Sequence, residues 1–590
     1  MPAYSRRQFI TGASAAAAAA GVGLALADPR FASAAALDRA VAASASRAVR
    51  VDGTTLEQVA TPTGSGPYKR LRSGPGWPLV VRTDLAPASA ARDGRRTALA
   101  SFVQFTDLHL ADTESPVRFE FLAPFNDSAH RPQEVLTVRG ASALVERVNA
   151  LAGGPWTGRP FSLVMATGDN TDNHELIELD WYLSVMSGGR ITPNSGDPKR
   201  YEGVQNSGNT DFWHPESSVR DAYKSRGFPK VPRFLSAAGA PFTAPGLRTP
   251  WYSTIGNHDD SIEGTLPDLG LVRSLYTGDR KLEGVDKAEA AKLAEALRTD
   301  PAQAMQRLAH LLKNGGPVRR ITPDGRRAPF SPKEFAAAHL DPKHTGPGPV
   351  GHGFTASAAR SGKLYYTFPI ADGVLGISLD TTNPAGFADG SLGTAQLSWL
   401  ESVLKSRSGH WYDADGRVVK GSKESKGSAS GELVVVFSHH TSASMGNLLP
   451  DPHHPFEQRH DGNALVALLQ RFPNVVAWVN GHTHENRILA HGHAVPERAF
   501  WEINTASHID FPQHARIIEI ADNGDGTLSL FTTLVESAAP YATDFGDTSE
   551  AGLAALYREL SYNDPYATPG KKLGGPGDHN TELLLTKPRG

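Results

Sequence analysis

The chain has 590 residues, a near-balance of 59 Lys and Arg against 62 Asp and Glu, a net charge of −3, and no cysteine. The missing cysteine excludes disulfides, zinc–thiolate sites, iron–sulfur clusters and thiol catalysis, so any metal must be held by N and O ligands. The charge balance leaves no electrostatic footprint for nucleic acid, and 39 % hydrophobic residues suffice for a buried core.

In chain order, the first segment reads as an address. Arg6-Arg7 precedes an uncharged stretch rich in Ala and Gly that ends in Ala25-Leu26-Ala27. Basic head, apolar middle and Ala-x-Ala end are the parts of a secretory signal. The paired arginines with a weakly apolar core resemble a twin-arginine signal. Residues 1–27 are expected to be cleaved after export, with no stable membrane insertion afterwards. Ala32-Ser33-Ala34 is an alternative cleavage site. The resemblance implies the twin-arginine export machinery as a partner and an extracytoplasmic location. Residues 28–95, rich in Ala, Gly, Pro and Thr, read as an arm lying on the domain.

From Thr97 short apolar runs recur, each with a polar cluster after it: 98–105, 161–166, 252–255, 374–379, 433–437 and 475–479. Such runs bounded by turn residues predict buried strands. Helical stretches at 141–151 and 396–405 lie between some of them, and this alternation predicts an α/β domain. Two long interruptions stand apart: a polar one at 187–249, and one at 261–350 with a helical pair at 286–297 and 301–313. Near the end, strands at 516–520 and 528–534 flank Asp522-Asn523-Gly524-Asp525-Gly526. That run lacks the Gly and Glu positions of a calcium loop and predicts a hairpin turn. Residues 541–590, with a helix near 551–560, read as a C-terminal extension.

Five strand ends carry metal-type residues: Asp107-Leu108-His109, Gly168-Asp169-Asn170, Gly256-Asn257-His258-Asp259, Ser438-His439-His440 and Gly481-His482-Thr483-His484. In α/β sheets the site lies beyond the carboxyl ends of strands, where separate strands converge. Residues two apart share one face of extended backbone, which would aim Asp107 with His109 and His482 with His484 at one point. Glycines before Asp169, Asn257 and His482 would let the chain turn sharply there. Carboxylate, amide and imidazole donors suit Mn, Fe or Zn.

This set, in this order, resembles the calcineurin-like metallophosphoesterase superfamily, with its D-x-H, G-D, G-N-H-[DE], strand-end His and G-H-x-H motifs. Leu379-Asp380-Thr381 and Gln396-Leu397-Ser398-Trp399-Leu400 resemble its LDT strand end and Q-x-x-W-L helix. The resemblance covers residues 97–185, 250–260 and 364–535. It implies a four-layer α/β/β/α sandwich over 96–540 with the two insertions. It also implies a dinuclear centre of two divalent or trivalent ions (Mn, Fe or Zn). Asp107, His109 and His484 would hold one ion, and Asn257, His439 and His482 the other, with Asp169 bridging. His439 is preferred to His440 because the family uses the first of such a pair, although Thr441 stands where proline is usual. His258 would contact the phosphoryl oxygen or protonate the leaving group, with Asp259 orienting it. Asp172 stands where purple acid phosphatases carry a tyrosine ligand, and Gly168-Asp169-Asn170-Thr171-Asp172 is closer to bacterial cyclic-nucleotide phosphodiesterase relatives.

The implied activity is hydrolysis of a small-molecule phosphoric ester by a bridging hydroxide, foremost of a phosphodiester. The alternatives are a secreted phosphomonoesterase or nucleotidase, and a non-catalytic metal-binding protein. Asp112, Glu114 and Arg118 read first as a solvated loop and second as a rim of the substrate mouth, His491 and His493 as surface residues, His508 as a pocket-lining or a structural histidine, and Asn173 and His174 as supporting residues behind the bridging Asp169.

Overall fold

The computed structural model describes residues 49–126, 128–268, 273–314, 317–421 and 432–589. The signal expected at 1–27, the alternative cleavage site and the start of the arm lie outside them. Among the described residues no helix is long and apolar enough to cross a membrane.

The architecture is mixed α/β around two sheets. The larger contains β1 (Val80–Arg82), β2 (Thr97–Phe105), β3 (Val164–Thr167), β4 (Trp251–Thr254), and three strands late in the chain. The other sheet has β5 (Tyr366–Ala371), β6 (Val374–Ser378), β7 (Leu433–Phe437), β8 (Val475–Asn480), β9 (Arg487–His491) and β10 (Phe500–Asn504), in the order β5-β6-β7-β8-β10-β9. The late strands of the larger sheet are β11 (Ala515–Asp522), β12 (Thr527–Val535) and β13 (Thr581–Thr586), giving the order β1-β13-β12-β11-β2-β3-β4.

Strands β2, β3 and β4 are parallel, with Phe105, Ala166 and Ser253 on one rung. Strands β6, β7, β8 and β10 are also parallel, with Phe437 paired to both Ser378 and Val479. Every residue of β3, β7 and β8 is buried, as expected of parallel strands covered on both faces. Within each parallel set the carboxyl ends share one edge, and the five metal-type motifs leave from those edges.

One apolar cluster draws on both sheets: Phe102, Met165 and Ile518 from one, Phe437, Val479 and Ile503 from the other. A second joins Val103 and Val164 to helices α1 (Thr137–Ala150) and α2 (Leu176–Ser187). In the second interruption, α3 (Lys287–Thr299) and α4 (Pro301–Asn314) form a pair that packs on Val117, Phe119 and Leu122. A third cluster joins Ile377 and Val436 to α5 (Thr394–Arg407) and α6 (Gly462–Leu469).

The first interruption contributes Trp213, Tyr223, Phe228 and Phe234, which pack on Leu136 and on α7 (Glu550–Tyr562). Its polar sequence thus hides an aromatic cluster that it shares with Leu136 and α7. The acidic run after β11 closes a hairpin: Asn523 N–H donates to the Thr527 carbonyl at 3.1 Å, and Gly524 and Gly526 supply positive φ.

The ends of the chain differ from the expectation of an arm and an extension. Strand β13 pairs antiparallel with β12, and β1 pairs parallel with β13, so both segments are part of the larger sheet. Arg92 and Arg96 pair with Glu582, which is buried and also accepts from Ser529. The chain returns because β12 would otherwise be an edge with a row of unpaired backbone groups.

Candidate metal centre

The motifs converge, but by a different local geometry from the one expected. Asp107, His109, Asp169, His482 and His484 all have positive φ, between 44° and 70°. They are not extended. Left-handed residues past the strand ends turn each pair inward, at a cost of order 1–3 kcal/mol each, carried by the surrounding packing.

The three glycines also divide. Gly168 has φ +90° and makes a true turn. Gly256 and Gly481 are there for space. A Cβ on Gly256 would lie 2.3 Å from the backbone N and Oδ1 of Asp169, and one on Gly481 would lie 1.9 Å from Thr106 Oγ1 and 2.4 Å from Asp107 Oδ2.

All seven expected ligands are buried and close together. Asp107 is fixed by Thr106 Oγ1 at 2.6 Å and by the backbone N–H of His482 at 3.1 Å. Asp107 Oδ1 lies 3.2 Å from His484 Nε2, which in turn lies 3.2 Å from His109 Nε2. His439 Nε2 lies 3.0 Å from Asn257 Oδ1 and 3.3 Å from His482 Nδ1. Asn257 Nδ2 donates to the Gly264 carbonyl at 2.9 Å, which turns Oδ1 toward the histidines. Asp169 sits between the groups. Its Oδ1 accepts the His258 backbone N–H at 2.8 Å. Its Oδ2 accepts no hydrogen bond and lies 3.1 Å from His439 Nε2 and 3.6 Å from His109 Nε2.

The hydrogen bonds on the far side of each ring decide what faces the centre. His109 Nδ1 meets Asp172 Oδ1 at 2.9 Å, His484 Nδ1 meets Asp510 Oδ2 at 2.5 Å, and His439 Nδ1 meets the Thr167 carbonyl at 2.9 Å. These oxygens only accept, so each Nδ1 carries the proton and each neutral ring turns its Nε2 lone pair inward. Lone pairs facing one another across 3.2 Å, beside an orphaned buried carboxylate oxygen, form a cage that protons or cations must neutralise. The donor set fits Mn, Fe or Zn, and Asp107, His109, Asp169 and His484 lie close enough to share one ion.

His440 is placed differently from His439. Its Nε2 donates to the Ala388 carbonyl at 2.9 Å and its Nδ1 accepts from Thr381 Oγ1 at 2.8 Å, so both ring nitrogens are used by the protein.

The electrostatics follow from this crowding of buried carboxylates and imidazoles. Burial pushes the His109 imidazolium down, but Asp107, Asp172 and Asp169 outweigh it and raise the pKa to about 9. His439 is treated alike, with Asp169 foremost, and reaches about 8. Burial raises Asp169, yet His439, His258 and His109 hold it below the carboxylate range. His258 goes the other way. Burial dominates and lowers it to about 4, so it is neutral at pH 7.

Two expectations about His258 and its neighbours change. The Asp259 carboxylate is spent on backbone groups rather than on the His258 ring. It accepts the backbone N–H groups of Gly256, Asn170 and Thr171 at 2.8–3.2 Å and the Thr171 hydroxyl at 2.9 Å, so it staples the third motif to the second. The His258 ring is set by the Asp172 backbone carbonyl, which accepts from Nδ1 at 2.6 Å. The loop after the first motif is not solvated either: Asp112, Glu114 and Arg118 are buried, and Arg118 pairs with Asp172 and Glu134. His491 is half-buried and bonds Glu502 at 2.7 Å, and His508 lies buried against Tyr557.

Asp172, Asp510, Arg118 and Arg131 are the residues that motif reading did not assign. Asp172 and Asp510 back His109 and His484, and Arg131 Nε meets Asp510 Oδ1 at 2.6 Å. Position carried a signal for the two aspartates, since Asp172 ends the second motif and Asp510 comes soon after the end of β10. No spacing connects Arg118 or Arg131 to them.

Comparison with protein-family models and with curated proteins gives no match. Among solved structures the chain is similar to a dimetal phosphatase from Danio rerio, with 12 % identity, 75 % of this chain and 100 % of that chain covered, and a TM-score of 0.34.

Proposed function

We propose that the protein is a metal-dependent phosphoric ester hydrolase with a dinuclear centre, acting foremost on phosphodiesters. The observation that carries this reading is the buried cage of inward-facing imidazole lone pairs around the orphaned Asp169 Oδ2. In this reading the two sheets, with α1 and α2 on one side and α5 and α6 on the other, form a four-layer α/β/β/α sandwich. The apolar clusters between the sheets and under the helices support it.

Asp107, His109 and His484 would hold one ion, Asn257, His439 and His482 the other, and Asp169 both. The ions would supply Lewis-acid stabilisation of phosphoryl charge and a water of lowered pKa. The protein residues do the rest. Asp172 and Asp510 keep the protons of His109 and His484 on Nδ1. Asn257 is held in one amide orientation by Gly264. His258, neutral and anchored through Nδ1, presents Nε2 as a proton acceptor within the same buried site, its ring centroid 4.5 Å from that of His109. A proton leaving a nucleophile, or a hydrogen bond from a protonated phosphoryl group, has an acceptor there. Asp259 keeps the loops that carry Asp169 and His258 in register.

The test compares bis-p-nitrophenyl phosphate with p-nitrophenyl phosphate as substrates of Mn-reconstituted protein. Faster diester cleavage is expected. Faster monoester cleavage would move the reading to a phosphomonoesterase or nucleotidase. Two bound ions with no cleavage of any ester would make it a metal-binding protein. The same reading includes export: residues 1–27 would direct the chain to the twin-arginine machinery, and replacing Arg6 and Arg7 by lysines would retain it in the cytoplasm.

A further inference from the structure

The two halves of the cage are backed unequally. His439 leans on a neutral carbonyl of Thr167. His109 and His484 lean on carboxylates, and each carboxylate is itself held by cations. Arg118 pairs with Asp172. Arg131 and Lys572 both pair with Asp510. Glu134 joins the two arms, 2.9 Å from Arg118 Nη2 and 3.5 Å from Arg131 Nη1.

Lys572 comes from the C-terminal segment, which is far from the motifs in sequence. The segment grips the loop after His484. The Lys572 carbonyl accepts the Asn486 backbone N–H at 3.0 Å, and the Leu573 carbonyl accepts Asn486 Nδ2 at 3.2 Å. Gly574, with φ +74°, brings the backbone so near that a Cβ there would lie 2.3 Å from the Asn486 carbonyl oxygen. Asp510 Oδ2 then receives both His484 Nδ1 and Lys572 Nζ.

We infer that Lys572 is a positioning residue for one metal of the pair: it clamps Asp510, which sets the ring of His484 and the donor strength of its Nε2. This rests on the dinuclear reading of the site. A carboxylate behind a ligand histidine fixes its tautomer and raises its basicity, and loss of such support typically weakens metal binding by about 10–100-fold. The clamp reaches the centre through Asp510 and His484, whereas His439 is set by Thr167, so the effect belongs to the Asp107–His109–His484 half.

Lys572 suits a test because its side chain is 18 % exposed, whereas Arg131 is fully buried and its loss would disturb folding. The experiment titrates the full-length Mn-loaded protein with a chelator and counts retained Mn by elemental analysis, for wild type, Lys572→Met and Lys572→Arg. The expected result is that Lys572→Met loses one of two ions at about tenfold lower chelator, keeps the other at the wild-type level, and is rescued by Lys572→Arg. Equal weakening of both ions, or two ions held as in wild type, would overturn the inference. A wild-type chain that binds no Mn, Fe or Zn would instead overturn the dinuclear reading, and this inference with it.

Discussion

Two buried polar clusters grow from the loop that leaves β2, and the same residue types serve opposite ends in them. Around Asp112 every acceptor named meets a donor. Ser195 Oγ donates to Oδ1 at 2.8 Å, the Glu114 backbone N–H at 3.0 Å, and Arg327 Nε lies 3.2 Å from Oδ2. Arg327 also donates to Ser195 Oγ and the Thr322 carbonyl. Around Asp107 and Asp169, acceptors face acceptors. The first cluster is complete as protein and ties both interruptions to the first motif, through Ser195 and Arg327. The second is complete only with protons or cations. Burial of charge alone therefore does not separate the two clusters; what separates them is whether the groups that face one another include a donor.

Asp169 is the residue on which the open cluster depends most. Replacing it with Asn is expected to remove bound metal and lower phosphoester hydrolysis by about 10³-fold or more, with the fold retained on circular dichroism. Elemental analysis showing two ions on Asp169→Asn would refute its bridging role. His258→Ala should keep both ions and lose about 10²–10⁴-fold in kcat. Full activity in that variant would leave His258 without a role in the reaction.

The closed cluster should answer in stability instead. Arg327→Met leaves the buried Asp112 carboxylate without its cation, and is expected to cost about 3–5 kcal/mol in urea unfolding. The metal count per folded molecule should not change. Loss of metal at wild-type stability would show that the two clusters are not separable.

The smallest effect is a pH trend in the metal-free protein. His109 and His439 have pKa values raised to about 9 and about 8, above the ordinary 6.5. Their protonation stabilises the folded chain fully below about pH 6.5, and that contribution is lost as pH rises through about 8 to 9. Metal must displace those protons, so apparent metal affinity should climb over the same window. Thermal melts of metal-free and Mn-loaded protein between about pH 6 and 10 should therefore diverge. Parallel melts would mean that the histidines do not hold the protons the cage calls for.

Much of this was legible in the chain. The buried runs at 433–437 and 475–479 are strands because continuous Val, Leu and Phe can be satisfied only between two covered faces. The five motifs are legible because each comes directly after such a run, and parallel strands must deliver their carboxyl ends to one edge. The local rationale was not legible. Asp-x-His suggested an extended pair, whereas the structure uses left-handed residues, which the φ preferences of Asp and His permit but no spacing announces. Asp259 looked like a partner of His258 because they are adjacent, yet its acceptor capacity is spent on backbone N–H groups of the neighbouring loop.

The order of the five motifs and the strands that carry them can be read from the chain alone, because both are local properties: burial pattern along a run, and donor chemistry at its end. Only the tertiary structure decided which ring nitrogen faces inward, and that Arg118, Arg131 and Lys572 stand behind the carboxylates that decide it. It also brought Thr581–Thr586 into the sheet and residues 572–574 against the loop after His484. Those are contacts between residues up to hundreds of positions apart, and pairing of charge and backbone across such distances is set by packing, which leaves no period in the chain.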